Sequence, residues 1–311
     1  MSAIVACPRV SVVLAVHNGL AYLREAMDSL LGQTFGDFEL IAVDDGSTDG
    51  SGEALCEYAA RDGRVIVLQN ESNVGLTKSL NRGLDTARGE FIARQDADDV
   101  SEPHRLERQV EYLARHPEVG LLGSAYTVIL ADGRRGDTHR TPRTDTRIRW
   151  EMLFHNAFCH STVMLRRRCL DDGRLRYDES LRYGQDYEMW ARVLKATRAA
   201  NLDEPLVCFR VHDGSISVTH REEQARTRPA TASRQIADVL PGVRLTGREL
   251  DTLGRWYTTP PRRINEGDQR LFRVLLDLLD AFERRADVDP AEAGALCGEW
   301  RERIPAAVPV A

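Results

Sequence analysis

The sequence has no apolar run long enough to cross a lipid bilayer. Its longest uncharged apolar stretch, Val119 to Ala131, is interrupted by glycine and serine, whereas a spanning helix needs about 20 apolar residues. The apolar residues 10–16 follow Pro8-Arg9 and lack the longer apolar core and the small-residue cleavage site of a secretory signal. We therefore expect a soluble, cytoplasmic protein with no transmembrane segment.

Basic runs are equally scarce. Lysine and arginine together number 42 against 48 acidic residues, a formal net charge of −6, and only Lys78 and Lys195 are lysines. Nucleic-acid sites need a basic stripe or patch, and the chain has only short arginine groups such as residues 166–168, so nucleic-acid binding is disfavoured. The six cysteines show neither zinc-site spacing nor a dense disulfide framework. They are typical of reduced cytosolic thiols.

An alternation of β-rich runs and helical segments fills residues 9–118. The β-rich runs are VSVVLAV, FELIAV, RVIVLQN and GEFIAR, and helical segments lie between them. Such alternation predicts parallel strands joined by crossover helices. Gly89 stands where the third helix should stop, and Pro103 stands where a fourth should begin.

The pattern changes twice further along the chain. From about residue 119 it becomes mixed, with strands expected near residues 121–130, 161–166 and 205–212 and a helix near residues 186–196. After about residue 220 only helical patterns remain. We expect an α/β protein followed by a helical C-terminal region.

The clearest helix of the C-terminal region carries an apolar stripe. The stripe consists of Leu271, Val274, Leu275, Leu278, Leu279 and Phe282. A stripe of this kind is suited to packing against the rest of the chain, to a homodimer contact or to peripheral contact with a membrane. Asp277 and Asp280 on the polar side disfavour anionic lipid, so packing or dimerisation is the favoured interpretation.

Polar clusters follow three of the expected strands. They are His17-Asn18, Asp44-Asp45 and Asp96-Ala97-Asp98-Asp99. Ligands of open α/β sheets bind at the carboxyl ends of the strands, so these clusters should converge on one crevice. Like charges as close as those of the third cluster raise one another's pKa and need a cation or hydrogen-bond donors to compensate them.

Four segments in this order resemble family 2 glycosyltransferases of the GT-A fold. They are VSVVLAVHNG, ELIAVDDGSTDGS, NVGLTKSLNRGLDTARGEFIARQDADD and YGQDYEMWARV, and the resemblance covers about residues 9–217. It implies a Rossmann-like nucleotide-binding sandwich with a mixed central sheet. The GT-A domain would span residues 1–220, with a nucleotide-binding half at about 9–118 and an acceptor half at about 119–220. Residues 221–311 would form the helical C-terminal region.

The resemblance assigns a nucleotide site to the first two clusters. Asp45 would accept a hydrogen bond from N3–H of a uracil ring, with Asp44 beside it. The alternative is an Asx-turn and helix cap, for which residues 44–49 are well suited. His17 and Asn18 stand where the family commonly has Tyr-Asn, and His17 would cover the base or be a loop residue. Lys78 would reach the nucleotide or lie solvated on its helix.

The third cluster matches the family's DxD motif. Asp98 would bind a divalent metal, Mn²⁺ or Mg²⁺, with Asp99 as the second candidate ligand, and Asp96 would bind the ribose hydroxyls. Carboxylate oxygens suit such cations, which stabilise charge on a leaving diphosphate. His212, in FRVHDGSIS, would ligate the metal or bond a phosphate, and otherwise has a structural role. The alternative for the cluster is a capped turn.

The resemblance assigns the general base to Asp186, at the start of a late helix. An aspartate there is also a common helix cap. Gln185 replaces the Glu that usually precedes the base and removes a negative neighbour. His160 stands where family members carry a His lining the acceptor side.

The sequence therefore predicts an inverting, metal-dependent transfer of one sugar from a UDP-sugar to an acceptor hydroxyl. The acceptor would be a glycan, a lipid-linked sugar or another hydroxyl compound. Processive synthases carry a Gln-x-x-Arg-Trp motif after the base, whereas residues 147–150, RIRW, precede Asp186 and follow Thr146. Two alternatives remain at this stage. One is a non-catalytic nucleotide-sugar-binding scaffold, and the other is a sugar-nucleotide pyrophosphorylase, which would need a Gly-rich, Arg-containing first loop.

Overall fold

The computed structural model describes residues 7–170, 176–261 and 263–304. The chain divides into two compact units. The sheet unit comprises Met1–Thr141 and Phe158–Arg221, and the helical unit comprises Pro142–Ala157 and Glu222–Ala311. The sequence division at residue 220 grouped residues 142–157 with the first unit, whereas the structure groups them with the C-terminal helices.

The sheet unit contains a mixed sheet with helices. Its strands are β1 (Val10–Val16), β2 (Phe38–Asp44), β3 (Val65–Gln69), β4 (Phe91–Arg94), β5 (Val100–Ser101), β6 (Val119–Leu130), β7 (Arg135–His139), β8 (Met164–Arg166) and β9 (Arg198–Val211). Its helices are α1 (Leu20–Leu31), α2 (Ser51–Arg61), α3 (Leu76–Thr86), α4 (Arg105–Arg115), α6 (Gln185–Val193) and α7 (Ile216–Thr219).

The sheet order is β3-β2-β1-β4-β8-β6-β9-β5, with β7 paired to β6. The first four of these strands run parallel to one another, and β8 is antiparallel to both β4 and β6. Strand β9 is parallel to β6 and antiparallel to β5. Every residue of β1 and β2 is buried, as expected for parallel strands covered on both faces. The predicted α/β fold with a mixed central sheet is confirmed.

Gly89 does not stop α3. The helix ends at Thr86, three residues earlier. A Cβ at Gly89 would lie 2.5 Å from the backbone nitrogen of Ser11, so glycine is needed where the chain passes close to β1. A glycine is required at position 89, as the sequence suggested, but because of close backbone packing and not because α3 ends there.

The helical unit has its own core. Its helices are α5 (Asp145–Glu151), α8 (Arg221–Val239), α9 (Gly247–Thr258), α10 (Gln269–Glu283) and α11 (Pro290–Arg303). All six residues of the α10 stripe are buried in a cluster that also contains Trp150 and Trp300. Because the stripe is covered inside its own unit, it gives no basis for a homodimer or for membrane contact. Within the described part of the chain, no helix combines the length and apolarity needed to cross a membrane.

Candidate active site

The sheet register brings the polar clusters to one edge. Val16 pairs with Asp44, which pairs in turn with Gln69, and Val13 pairs with Arg94. The residues after β1, β2 and β4 therefore emerge side by side at the carboxyl ends of the strands, where open α/β sheets bind ligands.

Asp45 is almost fully buried and holds the start of α3. Its Oδ1 accepts hydrogen bonds from Asn70 Nδ2 at 2.7 Å and the Val74 N–H at 2.9 Å, and its Oδ2 accepts from the Gly75 N–H at 2.9 Å. Burial alone would raise the pKa of Asp45, but these donors lower it below its ordinary value. The Ser79 side chain is a further hydrogen-bond donor that lowers this pKa, so Asp45 is held as a carboxylate.

Asp44 is the last residue of β2, and His17 and Asn18 lie in the loop after β1. Asp44 is buried and its Oδ1 accepts from the Ser47 N–H at 3.0 Å. His17 Nδ1 lies 2.8 Å from the carbonyl oxygen of Asp45, and Asn18 Oδ1 accepts from the Thr48 N–H at 2.8 Å. These bonds join the loops after β1 and β2 and leave His17 exposed. Both the nucleotide and the turn interpretations fit this arrangement.

The three aspartates after β4 form one group. Oxygen atoms of Asp96, Asp98 and Asp99 all lie within 4.8 Å of one another. Asp99 is fully buried, and its Oδ1 accepts from the backbone N–H of Arg210 at 2.7 Å. Its Oδ2 is buried without a hydrogen-bond partner among the described residues. The nearby Ser161 hydroxyl lowers the Asp99 pKa but donates its hydrogen bond to Asp96.

Two buried arginines compensate part of this charge. Arg94, only 3% exposed, forms an ion pair with Asp96. Arg105 is fully buried and interacts electrostatically with Asp99. With all three carboxyls ionised, two positive charges would face three negative ones, an excess of one negative charge.

The pKa values of the three carboxyls diverge accordingly. Burial opposes ionisation of Asp96, but the guanidinium of Arg94 more than offsets it and lowers the Asp96 pKa. Burial, together with the negative charge of Asp96, raises the pKa of Asp98. Burial and the charges of both neighbours raise the pKa of Asp99 well above its ordinary value. An unpartnered oxygen, close carboxylates and excess negative charge together fit a hard divalent cation.

His212 contacts the acidic group through Asp98. Its Nδ1 accepts from the Gly214 N–H at 3.2 Å, and its Nε2 lies 3.0 Å from Asp98 Oδ2. Which of the two atoms, His212 Nε2 or Asp98 Oδ2, donates this hydrogen bond depends on the tautomer of the ring. His212 therefore contacts the acidic group at Asp98, and the metal-ligand and structural interpretations both fit this arrangement.

Asp186 lies in the first turn of α6. Gly184 precedes the helix with φ of 70°, a left-handed conformation that favours glycine. Burial raises the pKa of Asp186, while the charge of Arg94 lowers it and that of Asp96 raises it. Asp186 therefore belongs to the same electrostatic cluster as the aspartates after β4. A raised pKa makes its carboxylate a better proton acceptor.

The last two predicted residues, His160 and Lys78, differ in burial and in their contacts. His160 Nε2 lies 2.7 Å from the hydroxyl of Tyr177, and burial next to Arg94 lowers the His160 pKa well below its ordinary value. Lys78 is exposed on α3, and no recorded contact within the described residues joins it to another candidate residue. The site therefore brings together the aspartates, His160 and His212, but not Lys78.

Comparison with known proteins agrees with this geometry. The sequence profile of glycosyl transferase family 2 matches residues 11–174, more than half of the chain. The chain belongs to glycosyl transferase family 2. It is similar to an uncharacterized glycosyltransferase of Haemophilus influenzae, with 31% identity over 71% of each chain. It is also similar to the amylovoran biosynthesis glycosyltransferase AmsE of Erwinia amylovora, with 32% identity over 68% of this chain and 79% of the relative.

Solved structures confirm the GT-A fold of this family 2 glycosyltransferase. TarS residues 1–349 of S. aureus in complex with UDP match with a TM-score of 0.60 and 20% identity, over 95% of this chain and 87% of that one. The mannosyltransferase PcManGT of Pyrobaculum calidifontis in complex with GDP-Man and Mn²⁺ matches with a TM-score of 0.58 and 18% identity, over 96% and 83%.

Three residues of the glycosyltransferase site were missed by sequence reasoning. Arg94 pairs with Asp96, Ser161 bonds both of them, and Arg210 bonds Asp98 and Asp99. Arg94 stands two positions before Asp96, so an arginine beside an acidic cluster was an available signal. Ser161 and Arg210 gave none.

Proposed function

We propose that this glycosyltransferase moves one sugar from a UDP-sugar to an acceptor hydroxyl with inversion at the anomeric carbon. The observation that carries the proposal is the group of Asp96, Asp98 and Asp99 at the strand ends next to Asp45, together with the electrostatic interaction between Asp96 and Asp186 of α6. A base and a diphosphate-binding group in one crevice are the minimum that glycosyl transfer requires.

The donor nucleotide would bind at the loops after β1 and β2. Asp45, held as a carboxylate by its hydrogen-bond donors, would accept the single N3–H of uracil, and His17, Asn18 and Asp44 would line the base. UDP in the TarS complex supports this choice, while GDP-Man in PcManGT makes guanine the comparison to test. Asp96, held by Arg94, would accept from the ribose hydroxyls.

Asp98 and Asp99 would hold a divalent cation, Mn²⁺ or Mg²⁺. The unpartnered Oδ2 of Asp99 and the excess negative charge support this, as does Mn²⁺ in the PcManGT complex. When bound, such a cation neutralises charge on the leaving diphosphate. His212 would keep the Asp98 carboxylate oriented toward it.

Asp186 would act as the general base. Its carboxylate takes the proton of the acceptor hydroxyl, whose oxygen forms a bond to the anomeric carbon on the face opposite the nucleotide. The electron pair of the broken C–O bond leaves with UDP, so an α-linked donor gives a β-linked product. His160 would line the acceptor side. The name of the AmsE relative supports a glycan or lipid-linked glycan acceptor.

The experiment measures transfer from a panel of UDP-sugars, with GDP-mannose for comparison, in Mn²⁺ or Mg²⁺ and in excess chelator. Asp186→Asn should abolish transfer and leave UDP affinity within about twofold, because the amide cannot accept the proton. Asp203→Asn makes the same change on an exposed strand residue and should retain full activity.

Full transfer in excess chelator would remove the metal from the proposal. UDP binding without transfer or hydrolysis across a broad acceptor panel would favour the non-catalytic scaffold instead. Formation of a UDP-sugar from UTP and a sugar phosphate would favour the pyrophosphorylase.

A further inference from the structure

Arg210, next to the end of β9, contacts both aspartates of the proposed metal site. It is 2% exposed. Its backbone N–H donates to Asp99 Oδ1 at 2.7 Å, and its Nε donates to the carbonyl oxygen of Asp98 at 2.8 Å. Its Nη2 lies 2.6 Å from Glu25 Oε2 on α1. The guanidinium charge is thus paired with Glu25. What Arg210 contributes to the aspartates is a pair of hydrogen bonds, which fix the Asp99 carboxylate and the Asp98 backbone.

Tyr22 of α1 contacts both Arg210 and His212. The guanidinium carbon of Arg210 lies 4.6 Å from the centre of the Tyr22 ring. The His212 ring lies 4.7 Å from it between centroids, with a tilt of 49°. Cation–π and aromatic contacts of this kind favour one arrangement of the groups. One ring therefore supports the two residues that hold Asp98, one at its backbone and one at its carboxylate.

The Arg210 guanidinium lies over the face of the Tyr22 ring, and the His212 ring is tilted against it. Within the described residues the Tyr22 hydroxyl makes no hydrogen bond. Removing the ring would leave the Arg210 and His212 side chains without a shared support. Removing only the hydroxyl would leave both contacts intact. The two changes therefore separate positioning from a polar role.

We propose that Tyr22 and Arg210 are positioning residues that set the geometry of Asp98 and Asp99 for the divalent cation. This inference rests on the proposed function, because it assumes that these aspartates bind a cation that supports UDP binding. Neither residue needs to touch the sugar nucleotide. Their effect should appear only in the part of UDP affinity that depends on the cation.

The test is UDP binding by isothermal titration calorimetry, in Mn²⁺ and in EDTA. Tyr22→Leu should weaken UDP binding in Mn²⁺ by about tenfold, which is about 1.4 kcal/mol, and leave binding in EDTA unchanged. Tyr22→Phe should stay within about twofold of wild type in both buffers. Arg210→Lys keeps a charge for Glu25 but loses the Nε donor to Asp98, and it should show the same Mn²⁺-specific loss.

A double-mutant cycle tests whether Tyr22 acts through His212. Tyr22→Leu in a His212→Ala background should cost less than in wild type, because one of the two groups that Tyr22 positions is already gone. Equal losses in Mn²⁺ and EDTA would show a general structural role and overturn the inference. Additive losses, or a Tyr22→Leu protein that binds like wild type, would overturn it as well.

The wild-type titration separates this inference from the proposed function. If wild type binds UDP equally in Mn²⁺ and EDTA, the metal role in the proposed function fails and the positioning inference fails with it. If wild-type binding needs Mn²⁺ and both Tyr22→Leu and Arg210→Lys retain it, only the positioning inference fails. A GDP titration under the same conditions tests the choice of uracil separately from the role of the cation.

Discussion

Removal of the Ser161 hydroxyl should lower the free energy of unfolding, because this hydroxyl bonds Arg94 and Asp96 of the candidate active site. Ser161 is fully buried. Its Oγ accepts from the Asp96 N–H at 2.9 Å and Arg94 Nη1 at 3.2 Å, and donates to Asp96 Oδ2 at 3.1 Å. In Ser161→Ala the Asp96 N–H is left without this acceptor, while Arg94 keeps its ion pair with Asp96.

The expected loss follows from these contacts. A buried donor left unsatisfied costs about 1–3 kcal/mol, and the other lost hydrogen bonds add about 1 kcal/mol. The free energy of unfolding should therefore fall by about 2–4 kcal/mol. Thermal unfolding shifts by about 2–4 °C for each kcal/mol in a unit of this size, so Tm should fall by about 4–16 °C.

The assay is urea unfolding followed by circular dichroism, with the Tm as a second measure. Ser180→Ala is the matched control, because its hydroxyl is exposed and bonds only Asp178 among the recorded contacts. It should cost less than about 0.5 kcal/mol. If Ser161→Ala falls within 1 kcal/mol of that control at an unchanged m-value, the hydroxyl does not anchor the Arg94–Asp96 pair and the reasoning is refuted.

Two further predictions concern the base and the helical unit. Because burial raises the pKa of Asp186, transfer should fall with decreasing pH at a higher pH than for an ordinary aspartate. Gln185→Glu adds a negative neighbour and should move this acid limb upward in a kcat/KM profile, and an unmoved limb would argue against Asp186 as the base. Deletion of residues 222–311 should make the protein aggregate, because α5 would lose the helices that bury Trp150, and a soluble truncated protein by gel filtration would contradict this.

The parallel half of the sheet was predictable because local patterns decide it. VSVVLAV and FELIAV correspond closely to β1 and β2, and each is buried along its whole length. Continuous β-branched and apolar runs between helical segments have few other solutions. The acidic residues at the strand ends were predictable for the same reason, since parallel strands share one carboxyl edge.

The contacts that organise the site were not predictable, because they join distant parts of the chain. Ser161 meets Asp96 across 65 residues, and Arg210 meets Asp98 across 112. No local period or motif encodes such pairs, which arise only when β8 and β9 join the sheet. The tautomer of His212 likewise depends on Gly214 and on the fold around it. Charge repulsion signalled the need for a cation or for hydrogen-bond donors, but the sequence did not show that Arg94 and Arg105 supply part of this compensation.

Helix α5 is synthesised long before most of the core that buries it. The ring of Trp150 packs 5.7 Å from that of Trp300, yet at about 5–20 residues per second roughly 8–30 s pass on the ribosome between the two. All strands of the sheet unit have been made once residue 211 has emerged. A nascent chain can therefore complete the sheet while α5, with Trp150, still lacks the later helices that bury it. In that interval α5 is a target for chaperones.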